Sequence, residues 1–387
     1  TGATSAYSFL LMAAFLPSVL LAPVGGVIAD RKDRRLMMAT GDLGSALGIG
    51  FVLFMVLFIP GACWPIYLGA AVSSLFAALQ SPAFKATVTD ILDEKAYAKG
   101  SGLMQLAEAS QYLLGPILAA VLLSRFSLPV VLGIDMATFA AAALSVLAIR
   151  GRVVRKGEKR LPGNFRTDFA DGIRYIAGNQ EVRHLLHIAA AATFLVGILQ
   201  AVFVPMVLSV SDSGTVGAVQ SISASGMLIG SLLIGMSSKT NQQGRVLSFS
   251  LVAAGFSYIL IGASPNAALI TCAAFCFFFT LPFVNAGLEV LFRQNIDNDM
   301  QGRIWSLISL VSQIGMVMAF GIAGLLADHL FNPLLTDTGR LSDTVGGLIG
   351  TGASRGSGLM VIIGGLLLFL YSLMSATRGR AVRAGAL

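Results

Sequence analysis

Eleven apolar runs, each close to 20 residues long, fill this chain and leave little else to fold. They lie at 5–28, 36–59, 64–83, 101–124, 127–149, 184–208, 215–236, 245–263, 266–288, 303–326 and 356–376. Crossing a bilayer core takes about 20 residues of α-helix. Inside hydrocarbon every backbone N–H and C=O must find its partner within the protein, so runs of this length are helices. Barrel strands need only about 10 residues and would alternate in polarity. Composition agrees, with 56% hydrophobic and 12% charged residues, where a soluble domain carries about 25% charged. There is too little polar material to cover a water-facing globule, and an all-α membrane protein is expected.

The connections between runs are sorted by charge. Arg31, Lys32, Arg34 and Arg35, then Lys85, Lys95 and Lys99, then the basic residues from Arg150 to Arg183 fall on one side. Lys239, Arg245, Arg293, Arg303, Arg378, Arg380 and Arg383 join them. Only Arg125, Arg340 and Arg355 remain for the other side. Basic connections stay in the cytoplasm during insertion. The central loop and the C-terminus are therefore expected inside, and a bacterial inner membrane is the expected location. The formal net charge of +7 is then a record of topology, and no nucleic-acid partner is implied. Thr1 falls outside and Leu387 inside, which predicts one further helix before Thr1 and a six-plus-six arrangement.

That arrangement divides the chain into an N-terminal bundle at 1–149 (native spans 2–6), a cytoplasmic basic linker at 150–183 and a C-terminal bundle at 184–387 (native spans 7–12). Within the linker, Phe165, Phe169, Ile173 and Ile176 share a helical face while Arg166, Asp168, Asp171 and Arg174 lie elsewhere. This predicts an amphipathic helix, either lying on the inner membrane surface or docked on the protein itself. Span 101–124 also matches span 303–326 at an offset of about 201, the kind of internal repetition from which secondary transporters are built. Glu108 falls on Ser309 in that register.

Several chemistries lack their residues. The three cysteines, Cys63, Cys272 and Cys276, are too few for a disulfide framework. Cys272 and Cys276 share a face but have no ligand-type neighbours, and His184, His187 and His329 lie near span ends without any; no metal site is expected. There is no Walker loop for direct ATP drive. No nucleophile–base pair appears, so neither an enzyme nor a cofactor is expected.

Between the first two spans stands Gly25-Gly26-Val27-Ile28-Ala29-Asp30-Arg31-Lys32-Asp33-Arg34-Arg35. Read alone it is a tight cytoplasmic turn, its cations suited to anionic lipid heads. It resembles the signature loop of the major facilitator superfamily, G-x-L-x-D-R-x-G-R-R. Gly26, Asp30, Arg31, Arg34 and Arg35 match, and Asp33 replaces the second Gly. That departure resembles the drug-exporter branch that includes macrolide-efflux and enterobactin-export proteins. Leu114-Gly115-Pro116-Ile117-Leu118-Ala119-Ala120 is similar to the antiporter motif G-P-x-x-G-G, with Gly115 and Pro116 matching. The Gly-rich segment 327–356 looks like a loop of macrolide-efflux members. The resemblance implies two pseudo-symmetric six-helix bundles and a monomer. It also implies that Asp30 bridges to the start of the span at Gly302-Arg303, where a carboxylate beside a helix N-terminus gains about 0.3–1 kcal/mol.

Ionisable groups within spans are expensive and therefore functional candidates. Asp42 lies about 10 Å into its helix at 1.5 Å per residue, and Glu108 about 12 Å. Glu108 shares a face with Gln105, Tyr112 and Gly115, a polar stripe expected to line a cavity, which makes it the first proton-carrier candidate. Asp42 and Asp135 are further candidates, Asp135 with a packing role favoured. Gln200, Ser309 and Gln313 are cavity candidates, with Asn285, Phe203 and Phe283 behind them. Glu289 and Arg293, four apart, are expected to pair. The expected function is proton-coupled export of a small amphipathic compound by alternating access, with protons and membrane lipid as the other partners. The competing readings are a lysophospholipid flippase of the same superfamily and a non-transporting membrane scaffold or sensor.

Overall fold

The apolar runs become helices in the computed structural model, which describes residues 3–31, 33–59, 61–91, 110, 114–148, 165–236, 243–297, 300–336, 338–352 and 354–384. In chain order they are α1 (Thr4–Arg31), α2 (Arg34–Phe58), α3 (Trp64–Ile91), α4 (Leu114–Arg125), α5 (Leu128–Ala148), α6 (Phe165–Gly178), α7 (Gln180–Leu208) and α8 (Ser213–Met236). Then come α9 (Gln243–Ala263), α10 (Ala267–Asn295), α11 (Gln301–Leu326), a π turn (Ala327–Phe331), α12 (Asn332–Leu334), α13 (Val345–Ile349) and α14 (Arg355–Ala384). Among the described residues nine helices are long and apolar enough to cross a membrane, and the stretches Trp64–Gln80 and Leu114–Arg125 are shorter apolar helices. Each expected run overlaps one of these eleven, the run at 101–124 through Leu114–Arg125 among the described residues.

Side chains at the helix starts satisfy the backbone donors that a helix leaves open. Asp33 caps α2 through the backbone N–H of Arg35 at 2.9 Å. Asn179 caps α7 through Glu181 and Val182, and Asn266 caps α10 through Ala268 and Leu269. The residue that departs from the superfamily loop, Asp33, thus has a local task that a glycine lacks an acceptor to perform.

The helices fall into two units. One comprises Phe9–Gln111 and Leu118–Leu161; there α2 packs on both α3 and α5. At one close crossing Gly48 meets Gly69, where a Cβ on either would lie 2.7 Å from the other's carbonyl oxygen. Only small residues let helix backbones approach so closely in lipid.

The other unit comprises Thr1–Ser8, Tyr112–Ile117 and Pro162–Leu387; in it α9 packs on α14 and α10, α8 on α10, and α7 on α11. Its core is built around Tyr258, Phe277, Phe292 and Phe320, all essentially inaccessible. Tyr258 meets Phe277 edge-on at 5.3 Å and donates its phenolic O–H to the Leu195 carbonyl at 2.8 Å. A buried phenol needs such an acceptor.

The amphipathic segment is α6, and it makes contacts with the rest of its own unit. Gly172 sits against Leu307 and Ile304 of α11. Tyr175 donates its O–H to the Asn295 carbonyl at 3.4 Å and accepts from the Asp297 N–H at 3.1 Å. Asn179 donates to the same Asn295 carbonyl at 3.3 Å. Ile173 is left exposed.

Candidate functional site

In the first unit α2 and α3 bury a carboxylate. Asp42 is 3% exposed and accepts from the Gln80 side-chain amide at 2.6 Å. The helices can meet there because Gly41 has no side chain; a Cβ would lie 2.6 Å from that of Gln80. One turn on, Ser45 donates to the Ser73 carbonyl at 3.2 Å, and Ser74 accepts from the Ser18 N–H of α1 at 3.2 Å. This is a polar seam inside an apolar bundle. The Gln80 amide has both a donor and an acceptor, so it can serve Asp42 in either protonation state.

Asp135 of α5 is exposed along its helix, where a packing role was favoured. The reason is its position: on α5 only Ala143 is buried. Gly115 and Pro116 lie in α4, and a Cβ on Gly115 would meet nothing within 4 Å. Gln105, Glu108 and Tyr112 lie outside the described residues.

Around the signature loop, α1 closes at Arg31 and α2 opens at Arg34. The surroundings of Gly26 and the side chains of Asp30, Arg31 and Arg34 lie outside the described residues. Arg35 donates its Nε–H to the Val146 carbonyl at 2.8 Å, a cation on the open carbonyl end of α5.

In the second unit Gln313 donates to Ser309 at 2.9 Å, and both are exposed on α11. The bond leaves one amide N–H and the amide oxygen of Gln313 able to meet other partners. Gln200 is half-buried on α7, Phe203 is buried there, and Asn285 is exposed on α10. At the start of α11, Arg303 lies 3.5 Å from Asp171 of α6. Glu289 and Arg293 form the expected pair at 2.8 Å. Cys272 and Cys276 are free and exposed.

At the other end of α11 stand residues that sequence reasoning missed. Asp328, carried on the π turn, accepts from the backbone N–H groups of Thr4 at 3.1 Å and Ser5 at 2.7 Å. Asn332 donates to Asp328 at 3.4 Å and accepts from the Ser357 N–H at 2.9 Å. Nearby, Arg355 is 2% exposed and donates to the carbonyls of Gly262 and Ile349. The one signal available was an acid just after the apolar run 303–326 and an arginine directly before the run 356–376.

Comparison with known proteins settles the family. The sequence profile of the Major Facilitator Superfamily matches residues 2–320. Macrolide efflux protein A of Streptococcus pyogenes is 24% identical over 335 residues, covering 85% of this chain and 82% of that protein. The lysophospholipid transporter LplT of Yersinia pestis is 28% identical over 229 residues, covering 57% of this chain and 53% of that protein. The crystal structure of the nucleoside transporter NupG superposes with a TM-score of 0.72 at 12% identity, covering 96% of this chain and 90% of that one, a likeness of fold. The chain, with its apolar helices, its signature loop and a profile match over most of its length, belongs to the major facilitator superfamily of membrane transporters.

Proposed function

We propose that this transporter exports a small amphipathic organic compound, of the macrolide, drug or siderophore kind, in exchange for protons by alternating access. The observation that carries the reading is the similarity to macrolide efflux protein A across 82% of that protein's length. Supporting it, the spans hold a buried acid at Asp42 and an exposed amide–hydroxyl pair at Gln313 and Ser309. Polar groups facing hydrocarbon are costly, so these belong on a substrate-facing surface or a proton path. Glu108 is the first proton carrier, with Asp42 and Asp135 in support; Gln105, Tyr112, Gln200, Ser309 and Gln313 contact substrate. The two halves, 1–149 and 184–387, are joined by 150–183. The protein is a monomer in the bacterial inner membrane, with its basic loops in the cytoplasm and Asp30 acting at the cytoplasmic gate.

Purified protein in vesicles, loaded with radiolabelled erythromycin and given an imposed pH gradient, tests this. Gradient-dependent flux that falls at least tenfold in Glu108→Gln supports both export and the carrier assignment. Full proton-driven flux in Glu108→Gln eliminates Glu108 as carrier. A second reading, lysophospholipid flipping, is favoured by the match to LplT over 57% of this chain. Movement of a fluorescent lysophosphatidylethanolamine without a pH gradient, and no erythromycin flux, would replace the export reading. Absence of flux for every probe would favour the scaffold.

A further inference from the structure

Arg355 opens α14, and only 2% of it is exposed. Its Nη2 donates to the carbonyls of Gly262 and Ile349. Nε and Nη1 are also buried, and neither has a hydrogen-bond partner. Arginine does not give up its proton in proteins, so these donors cannot be silenced by neutralisation. Among the described residues no carboxylate forms an ion pair with it.

The helix deepens the imbalance. The N-terminus of α14 is the positive end of a 30-residue dipole, where an acid is favoured and a cation is not. Its first turn contains no acid. Two neutral carbonyls are a weak counterweight to a buried charge, which in protein interiors is ordinarily paired. The charge, the dipole and the open donors all favour a negative ion at this point.

The surroundings limit its size. Gly262, Ile349 and Gly358 are buried around the guanidinium. On the Nε edge the chain places no side chain, because Gly350 stands there at φ 90°, a conformation that suits glycine. Beyond its chain neighbours, a Cβ built on Gly350 would have Nε and Pro265 as its nearest contacts, both at 3.7 Å. One atom fits beside the guanidinium there, and an organic acid or a phosphate group does not.

We propose that Arg355 is the centre of a binding site for a monatomic halide, chloride above all, seated between its Nε–H and Gly350 at the start of α14. The single negative charge balances the single buried positive one, and the Nε–H gains a charge-assisted acceptor. The site lies within one unit of the protein and apart from the residues proposed to meet substrate or protons. It stands whatever compound the transporter carries.

The test uses the purified full chain in detergent at constant ionic strength, with gluconate replaced stepwise by chloride. Thermal unfolding and equilibrium binding of radiolabelled chloride are read in parallel. The unfolding midpoint is expected to climb by about 2 °C for each tenfold rise in chloride above the dissociation constant. Binding is expected to saturate at one chloride per chain. Arg355→Met refills the volume without the charge and should abolish both responses. Arg355→Lys keeps the charge but lacks the Nε–H, so binding about tenfold weaker is expected; it decides the matter if Arg355→Met fails to fold. Arg340→Gln, which removes an exposed cation from the preceding segment, should change neither response. A midpoint indifferent to chloride, as when a buried water meets Nε instead, overturns the site. So does chloride binding that never saturates, or that persists undiminished in the Arg355 variants.

Discussion

At the start of α11, Arg303 meets Asp171 at 3.5 Å with both side chains about two-fifths exposed, at 41% and 43%. Past the other end of the same helix, Asp328 meets backbone N–H groups of a turn whose Thr4 and Ser8 are buried. The first contact joins two flexible side chains, each of which water can solvate. An exposed pair of that kind contributes about 0–1 kcal/mol and fades with salt. The second joins a carboxylate to groups with no other acceptor, so its loss leaves donors unmet. Along one helix, then, the charges that hold structure are those bonded to backbone, and the side-chain pairs are dispensable.

The sharpest way to break that contrast is Arg355, a buried cation bonded only to carbonyls. Arg355→Ala leaves the carbonyl ends of α9 and α13 without a donor and is expected to destabilise the protein by about 2–3 kcal/mol. Arg355→Met, which refills the volume, should cost less. Thermal unfolding in detergent reads both, and a negligible loss for Arg355→Ala would end the contrast. Next in size is Asp328→Ala, expected to cost about 1–2 kcal/mol with little dependence on salt. Asp171→Asn should cost no more than about 0.5 kcal/mol, and that loss should vanish in about 0.5 M salt.

The smallest effect sharpens the contrast by separating backbone bonding from burial. Asp212 accepts from the Thr215 N–H at 2.7 Å but is fully exposed, and that bond holds its carboxyl below the usual carboxylate range. A depressed folded-state value stabilises fully above the unfolded pKa of about 4 and loses the contribution as pH falls through the folded one. Unfolding midpoints of the native chain and Asp212→Asn should therefore differ slightly at neutral pH and converge in acid.

The spans were legible because length and apolarity are carried by each segment alone. Glu289 and Arg293 were legible for the same reason, since their spacing places them one turn apart on any helix. The Asp42–Gln80 bond was not, because it depends on how α2 is rotated against α3, which no single run records. Arg303 was expected beside Asp30 by resemblance; in the structure Asp171 reaches it, brought there by the docking of α6. That docking turns on Gly172, whose missing side chain admits Leu307, while periodicity had drawn attention to the larger apolar residues around it. Asp328 was passed over entirely because its partners lie at the opposite end of the chain and are main-chain groups, which residue identity does not reveal.

The widened turn at Ala327–Phe331 carries a consequence for how this chain aligns with its relatives. Such a turn is a one-residue excess in an otherwise regular coil, and a regular coil advances by about 100° for each residue at 3.6 per turn. A relative lacking that one position would present whatever follows on a different bearing, and an acid written at the matching column would point away from the chain's start. A single-position gap at this point in an alignment would therefore mark proteins that hold the span equivalent to α1 by some other means.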